Sequence, residues 1–114
     1  MSDETLDLLR GTLDLLILRA LSWQSSHGFG VARWIEQVTD DVLRIEEGSL
    51  YPALYRLEKR GWVESEWGLS ENNRRAKFYS LTPRGQAQLV VETDKFSRFA
   101  QAVFKAIAAV PQPV

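Results

Sequence analysis

The chain contains no cysteine and a single histidine, His27. Without thiols there is no disulfide framework, no thiolate metal site and no cysteine nucleophile. One imidazole with only carboxylates to join it has no zinc-ligand spacing around it, so neither a metal nor a cofactor is expected. Enzymes of acyl transfer or acid–base chemistry hold a nucleophile beside a base, or pair carboxylates in a cleft. No such constellation is visible, and Gly28 and Gly30 follow a turn rather than a strand, a poor match to a phosphate loop. An enzyme is not expected.

Long apolar runs are also missing. No stretch approaches the roughly 20 residues needed to cross a bilayer, and the opening residues through Asp7 carry acids without a basic segment. Membrane insertion and export are disfavoured, and a cytoplasmic location is expected. Positive charge shows no excess either: 14 Lys and Arg stand against 15 Asp and Glu, a net charge of −1. Taken globally this opposes a nucleic-acid partner, because such domains usually carry a basic surplus. The distribution argues the other way, since counterion release responds to charge near phosphate. Residues 55–85 hold Arg56, Lys59, Arg60, Arg74, Arg75, Lys77 and Arg84 against Glu58, Glu64, Glu66 and Glu71, and residues 74–84 contain no acid.

What is present suffices for one compact domain: 114 residues, 45% hydrophobic and 11% aromatic. Leu6, Leu9, Leu13, Leu16, Ile17 and Leu21 recur at helical steps and predict a helix over 5–22. A turn-like stretch through Gly28 leads to a second helix ending near Thr39, with Phe29, Val31, Ala32, Ile35 and Val38 as its apolar pattern. The β-branched segment 42–45 reads as a small strand. A third helix over 48–60 has Leu50, Ala53 or Leu54, and Leu57 as its buried stripe. It tolerates Pro52 because that residue lies in the opening turn, and Gly61 stops it in the C′ position. Two antiparallel strands follow at 62–67 and 77–81, joined by a polar tip, 68–75, too long for a tight turn. Thr82 and Pro83 then start a last helix of about 27 residues. At 1.5 Å per residue it would run about 40 Å, and its stripe of Leu89, Phe96, Phe99, Val103, Phe104 and Ile107 exceeds what three short helices and a hairpin cover. A second copy is the simplest partner, so a homodimer built from the first and last helices is expected.

The fold class expected is therefore mainly α with a small β-hairpin, a winged helix-turn-helix over 1–82 followed by a dimerisation helix and short tail over 83–114. In that arrangement the third helix enters the major groove of double-stranded DNA and the hairpin tip lies along the backbone. Ser49, Tyr51, Tyr55, Arg56 and Lys59 point away from the buried stripe and are groups of the kind that read DNA.

The blocks LLRGTLDLLIL (8–18), HGFGVARWI (27–35), EEGSLYPALYRLEKRGWV (46–63) and NNRRAKFYSLTPRG (72–85) resemble the PadR-like transcriptional regulators over about two-thirds of the chain. The pairing of GSLYPALYRLE with RRAKFYSLT carries the resemblance most specifically. It implies a winged-helix dimer that represses transcription and often leaves its operator on binding a small effector. It also implies contact with DNA through Ser49, Tyr51 and Arg56 around Pro52. Phe29 stands where the family commonly has tyrosine, and Trp23-Gln24-Ser25-Ser26 replaces the usual turn with glycine and proline.

Each candidate has a plainer alternative. Tyr51 either meets DNA or packs on the wing. Arg74, Arg75 and Lys77 either neutralise phosphates or form an ordinary solvated tip, and Asn72 and Asn73 fit turn chemistry without a ligand. His27 is a phosphate contact or pH switch on one reading and a cap on the other. Phe96 and Phe99, with Val103, either line a pocket for a small aromatic or planar effector or simply pack the dimer. Trp23, Trp34, Trp62 and Trp67 read as core and hinge packing. A winged helix that binds protein instead of DNA would lack the basic set of Arg56, Arg74, Arg75 and Lys77.

Overall fold

The structure is a computed structural model that describes residues 3–111, with side chains from Gly11 onward. Leu6 and Leu9 of the first apolar stripe lie outside the described side chains. The element order is α1 (Asp3–Trp23), β1 (Ser26–His27), α2 (Gly28–Val38), α3 (Glu47–Lys59), β2 (Val63–Leu69), β3 (Arg75–Leu81) and α4 (Pro83–Ala108). Helical spacing of the apolar residues builds one core. Leu13, Ile17, Leu18 and Leu21 of α1 meet Val31, Ala32 and Ile35 of α2, Leu50, Ala53, Leu54 and Leu57 of α3, and Val63 and Tyr79 from the sheet. Trp34 and Trp62 pack against this core as expected, whereas Trp23 and Trp67 are 64% and 59% exposed and belong to no core.

The sheet corrects one expectation. No strand forms at 42–45. Asp40 and Asp41 take positive φ angles of 52° and 62°, which turns the chain instead of extending it. The Val42 N–H donates to the Thr39 carbonyl, and the Ile45 N–H to a Glu36 carboxylate oxygen. Leu43 and Ile45 rest on the core as an irregular connection, while Val42 is exposed, so the apolar residues there serve burial only in part and pairing not at all. The third strand is instead β1, in the stretch that read as a turn. It takes the free edge of β3 with Ser26 opposite Tyr79 and His27 opposite Phe78, giving the antiparallel order β1-β3-β2. Two residues carry no periodicity, so only the neighbouring edge defines them as a strand.

His27 then caps α2, its Nδ1 accepting from the Gly30 N–H at 3.0 Å. The hairpin ladder runs two rungs further than the sequence pattern indicates, to Leu69 opposite Arg75. Its tip shrinks to 70–74, closed by the Ser70 N–H on the Arg74 carbonyl and the Asn73 N–H on the Ser70 carbonyl. Asn73 sits at φ 60°, the left-handed turn role expected of it.

The corner between α3 and the sheet is built from backbone. Gly61 at φ 78° lets its own N–H donate to the Glu58 carbonyl and the Trp62 N–H to the Leu57 carbonyl, the paired bonds that close a helix C-terminus. Thr82 accepts from the Gly85 N–H to cap α4, while its hydroxyl donates to the Gly61 carbonyl at 2.7 Å. Gly85 is buried there, and a Cβ on it would fall 2.0 Å from the Trp62 carbonyl oxygen.

Because that clash is with backbone, no rotamer relieves it. Gly85→Ala is expected to destabilise the protein by about 3 kcal/mol, the upper end for overpacking. An unfolding free energy, from denaturant titration, lowered by less than a third of that would show that the first turn of α4 can move away.

Candidate nucleic-acid interface

α3 buries Leu50, Ala53, Leu54 and Leu57 and turns Ser49, Tyr51, Pro52, Tyr55 and Lys59 outward, all of them exposed. The centre of the outward face is Pro52, Tyr55 and Lys59, spaced at three and four residues. The Lys59 ammonium lies over the Tyr55 ring, 5.4 Å from its centroid. Tyr51 is on the flank nearer α2: its ring covers Gly28, where an added Cβ would come within 2.8 Å of it. With 46% of its surface exposed, Tyr51 packs against the first turn of α2 and still shows an edge to solvent.

Arg56 goes elsewhere. One of its guanidinium nitrogens donates to Asp14 of α1 at 2.8 Å, with both side chains largely covered. The structure therefore does not bring Arg56 together with Tyr55 and Lys59; it ties the opposite flank of α3 to α1. The other flank is tied by Glu58, which accepts from the Ser65 hydroxyl of β2 and pairs with Lys77 of β3 at 3.6 Å. Lys77 thus stands at the joint between helix and wing. Arg74 and Arg75 stand at the far end, exposed, and among the described residues no carboxylate pairs with either of them or with Lys59.

Phe96, Phe99 and Val103 lie on the same stripe of α4 as Gly85 and Leu89. Leu89 packs against the core, but Phe96 is 44% and Phe99 55% exposed. The two clefts described in the molecule are lined by other residues: one by Phe29, Arg33, Glu36 and Tyr51 between α2 and α3, the other by Asp14, Arg56, Arg60, Trp62 and Glu92 between α1, α3 and α4.

The model of the transcriptional regulator PadR-like family matches residues 17–91. The chain belongs to that family. A transcriptional regulator from Clostridium thermocellum superposes with a TM-score of 0.79 at 31% identity, over 87% of this chain and 96% of that one. A PadR family transcriptional regulator from Eggerthella lenta gives 0.75 at 28% identity, over 94% and 91%. A transcriptional regulator of Mycobacterium tuberculosis is 30% identical over 82% of this chain and 84% of its own. The protein is thus a winged helix-turn-helix transcriptional regulator and not an enzyme.

Within this PadR-like fold, sequence reasoning missed two features of the interface. The wing carries Trp67 and Leu69, 59% and 67% exposed, on the face that turns toward α3. Their alternation with Val63 and Ser65 contains that signal, once the strand is known to reach Leu69. The second feature is Glu58 as the joint between helix and wing, which depends on a cross-element contact that no local pattern announces.

That joint also bears on Tyr79, which is buried behind it. Burial holds the phenol above its ordinary value of 10.0, and the negative charge of the nearby Glu58 carboxylate and, on ionisation, of the Tyr51 phenol adds to the effect. The folded state keeps Tyr79 neutral to higher pH than the unfolded chain does, so its contribution is intact below pH 10 and is lost as the pH rises past that value. Tyr79→Phe is expected to lose stability less steeply than the wild type between pH 9 and pH 11, followed by denaturant midpoints. Equal slopes would mean that the phenolate is accommodated in the fold.

Proposed function

We propose that this PadR-like regulator is a dimeric, cytoplasmic repressor that binds an inverted-repeat operator. Residues 1–82 form the DNA-binding unit and residues 83–114 the dimerisation helix and tail. The observation that carries the reading is the outward face of α3, with Tyr55 and Lys59 at its centre, flanked by a wing whose Arg74 and Arg75 are exposed and free of acid partners among the described residues. Side chains of this kind on a helix fit base edges, and cations at a hairpin tip fit phosphates. Ser49, Tyr51 and Pro52 border the helix entry. Arg56 and Lys77 act chiefly by holding α3 to α1 and to the wing, with Asp14 and Glu58 as their partners.

The dimer is supported by the continuity of the α4 stripe. Its first half has the core beneath it, but Phe96, Phe99, Val103, Phe104 and Ile107 are all exposed, with 69% and 73% for the last two. A contiguous apolar stripe of this length is uncommon on a monomer surface, and α4 extends it along about 39 Å of helix. Two-fold pairing through it sets two copies of α3 about 34 Å apart, the repeat of successive major grooves. A small planar aromatic effector stacked on Phe96 and Phe99 would favour one separation of the two α4 helices and so trade against DNA binding.

Selection of duplexes from a random-sequence library by the purified protein, followed by anisotropy titration at two salt concentrations, is expected to recover an inverted repeat. Arg74→Ala combined with Arg75→Ala should weaken binding at all sequences and lower the salt slope by up to about 1.8, two phosphates' worth. An unchanged slope would remove the wing tip from the interface, and recovery of no sequence above background would favour a protein-binding winged helix. Separately, Phe104→Asp with Ile107→Asp is expected to convert the sedimenting species from dimer to monomer without loss of helix content. A wild-type chain that sediments as a monomer at tens of micromolar would overturn the dimer.

A further inference from the structure

We propose that Trp67 is a positioning residue for Arg75, and that the pair makes the wing a minor-groove reader selecting A·T-rich sequence beside the operator core. The inference rests on the DNA-binding reading above and assigns a role to a residue for which core packing offers none.

Strand alternation and register place Val63, Ser65, Trp67 and Leu69 of β2 on one face of the hairpin, opposite Leu81, Tyr79, Lys77 and Arg75 of β3. The base of that face is core, with Val63 and Tyr79 buried. Its middle meets α3 through the bonds of Ser65 and Lys77 to Glu58. Its outer end runs past the helix, and there two large apolar side chains of the wing, Trp67 and Leu69, are exposed. Solubility disfavours an indole and an isobutyl group on a free hairpin end, so their presence on the helix-facing side points to something that covers them.

Arg75 identifies it. Its guanidinium carbon lies 4.7 Å from the centroid of the Trp67 ring, diagonally across the ladder. An arginine otherwise sweeps many rotamers and must lose that freedom on entering a groove. Stacking on indole removes much of it beforehand and leaves the N–H edge of the guanidinium, rather than its face, for a partner. A narrow A·T minor groove offers a concentrated negative potential to such a group. Its floor shows only the acceptors of adenine and thymine, where guanine would interpose an amino group. Trp67 and Leu69 then lie against the deoxyribose walls. Because Glu58 pins the middle of the wing to α3, this reader stands at a set distance from the major-groove helix.

The full-length wild type and the variants Trp67→Phe, Trp67→Leu, Trp67→Ala, Arg75→Ala and Lys59→Ala would be carried through selection on the random-duplex library. Each would then be titrated against the enriched duplex bearing either A·T or G·C flanks. The wild type is expected to favour A·T flanks by about tenfold, and Trp67→Phe to keep most of that preference. Trp67→Leu and Trp67→Ala should lose it with the salt slope unchanged, whereas Arg75→Ala should lose it and lower the slope by about 0.9. Trp67→Leu behaving as wild type would reduce the indole to apolar cover and overturn the proposal. A Trp67 variant that altered the sedimenting species instead would assign the patch to a chain–chain contact and equally overturn it. If Lys59→Ala weakens binding while every Trp67 variant is neutral, the wing inference falls and the DNA-binding reading stands; if the wild type enriches no sequence, both fall.

Discussion

The close approach of Gly85 to the carbonyl of Trp62 is the constraint on which the positions of α3, the wing and α4 all depend. At that point the end of α3, the start of the hairpin and the start of α4 meet, with no side chain on Gly85 to hold them apart. Gly61 ends α3 in a left-handed conformation that glycine adopts without steric cost, and its carbonyl accepts the hydroxyl of Thr82. The Thr82 N–H donates to the same Trp62 carbonyl that Gly85 abuts. One threonine therefore caps the long helix and fastens it to the end of α3. Any rotation of α4 is carried directly to the corner from which the wing departs.

Around that corner the polar side chains divide the surface of α3. Its flanks are held by charge: Arg56 on Asp14 to one side, Glu58 with Ser65 and Lys77 to the other. Its outward face has no such ties among the described residues, and its cation rests only on a neighbouring aromatic ring. A helix clamped on both flanks and free on its face is rigid without satisfying the groups that a ligand must meet. The near-neutral net charge of the chain hides this arrangement, because Asp14 and Glu58 are taken up in the joints while Arg74 and Arg75 stand exposed at the wing end.

The long helix shows the same economy of pattern. Gly85, Leu89, Phe96, Val103 and Ile107 fall within one stripe, yet only the first two have the core to cover them. Amphipathic sequence continues unchanged across the point where the domain ends. The stripe is thus one surface in two settings, covered by the domain's own core at its start and exposed beyond it.

Local chemistry wrote the helices, their ends and most of the hairpin into the sequence. Apolar spacing at three and four residues, Pro52 in an opening turn, Gly61 after the last turn and Thr82 before Pro83 each act within a few residues of themselves, so each is legible alone. The segment 42–45 misled because β-branching signals burial and strand equally, and two adjacent aspartates in left-handed conformations turned it into a connection. Ser26 and His27 carry no strand pattern at all; the exposed edge of β3 makes them one. The same division runs through the interface. Which residues α3 turns outward follows from helical periodicity, but Arg56 and Lys77 are drawn to Asp14 and Glu58 only when distant elements pack. Trp67 could be recognised as exposed only once the ladder was seen to outrun the helix beneath it. Periodicity is a property of neighbours in sequence, whereas pairing, edge occupancy and exposure are properties of neighbours in space.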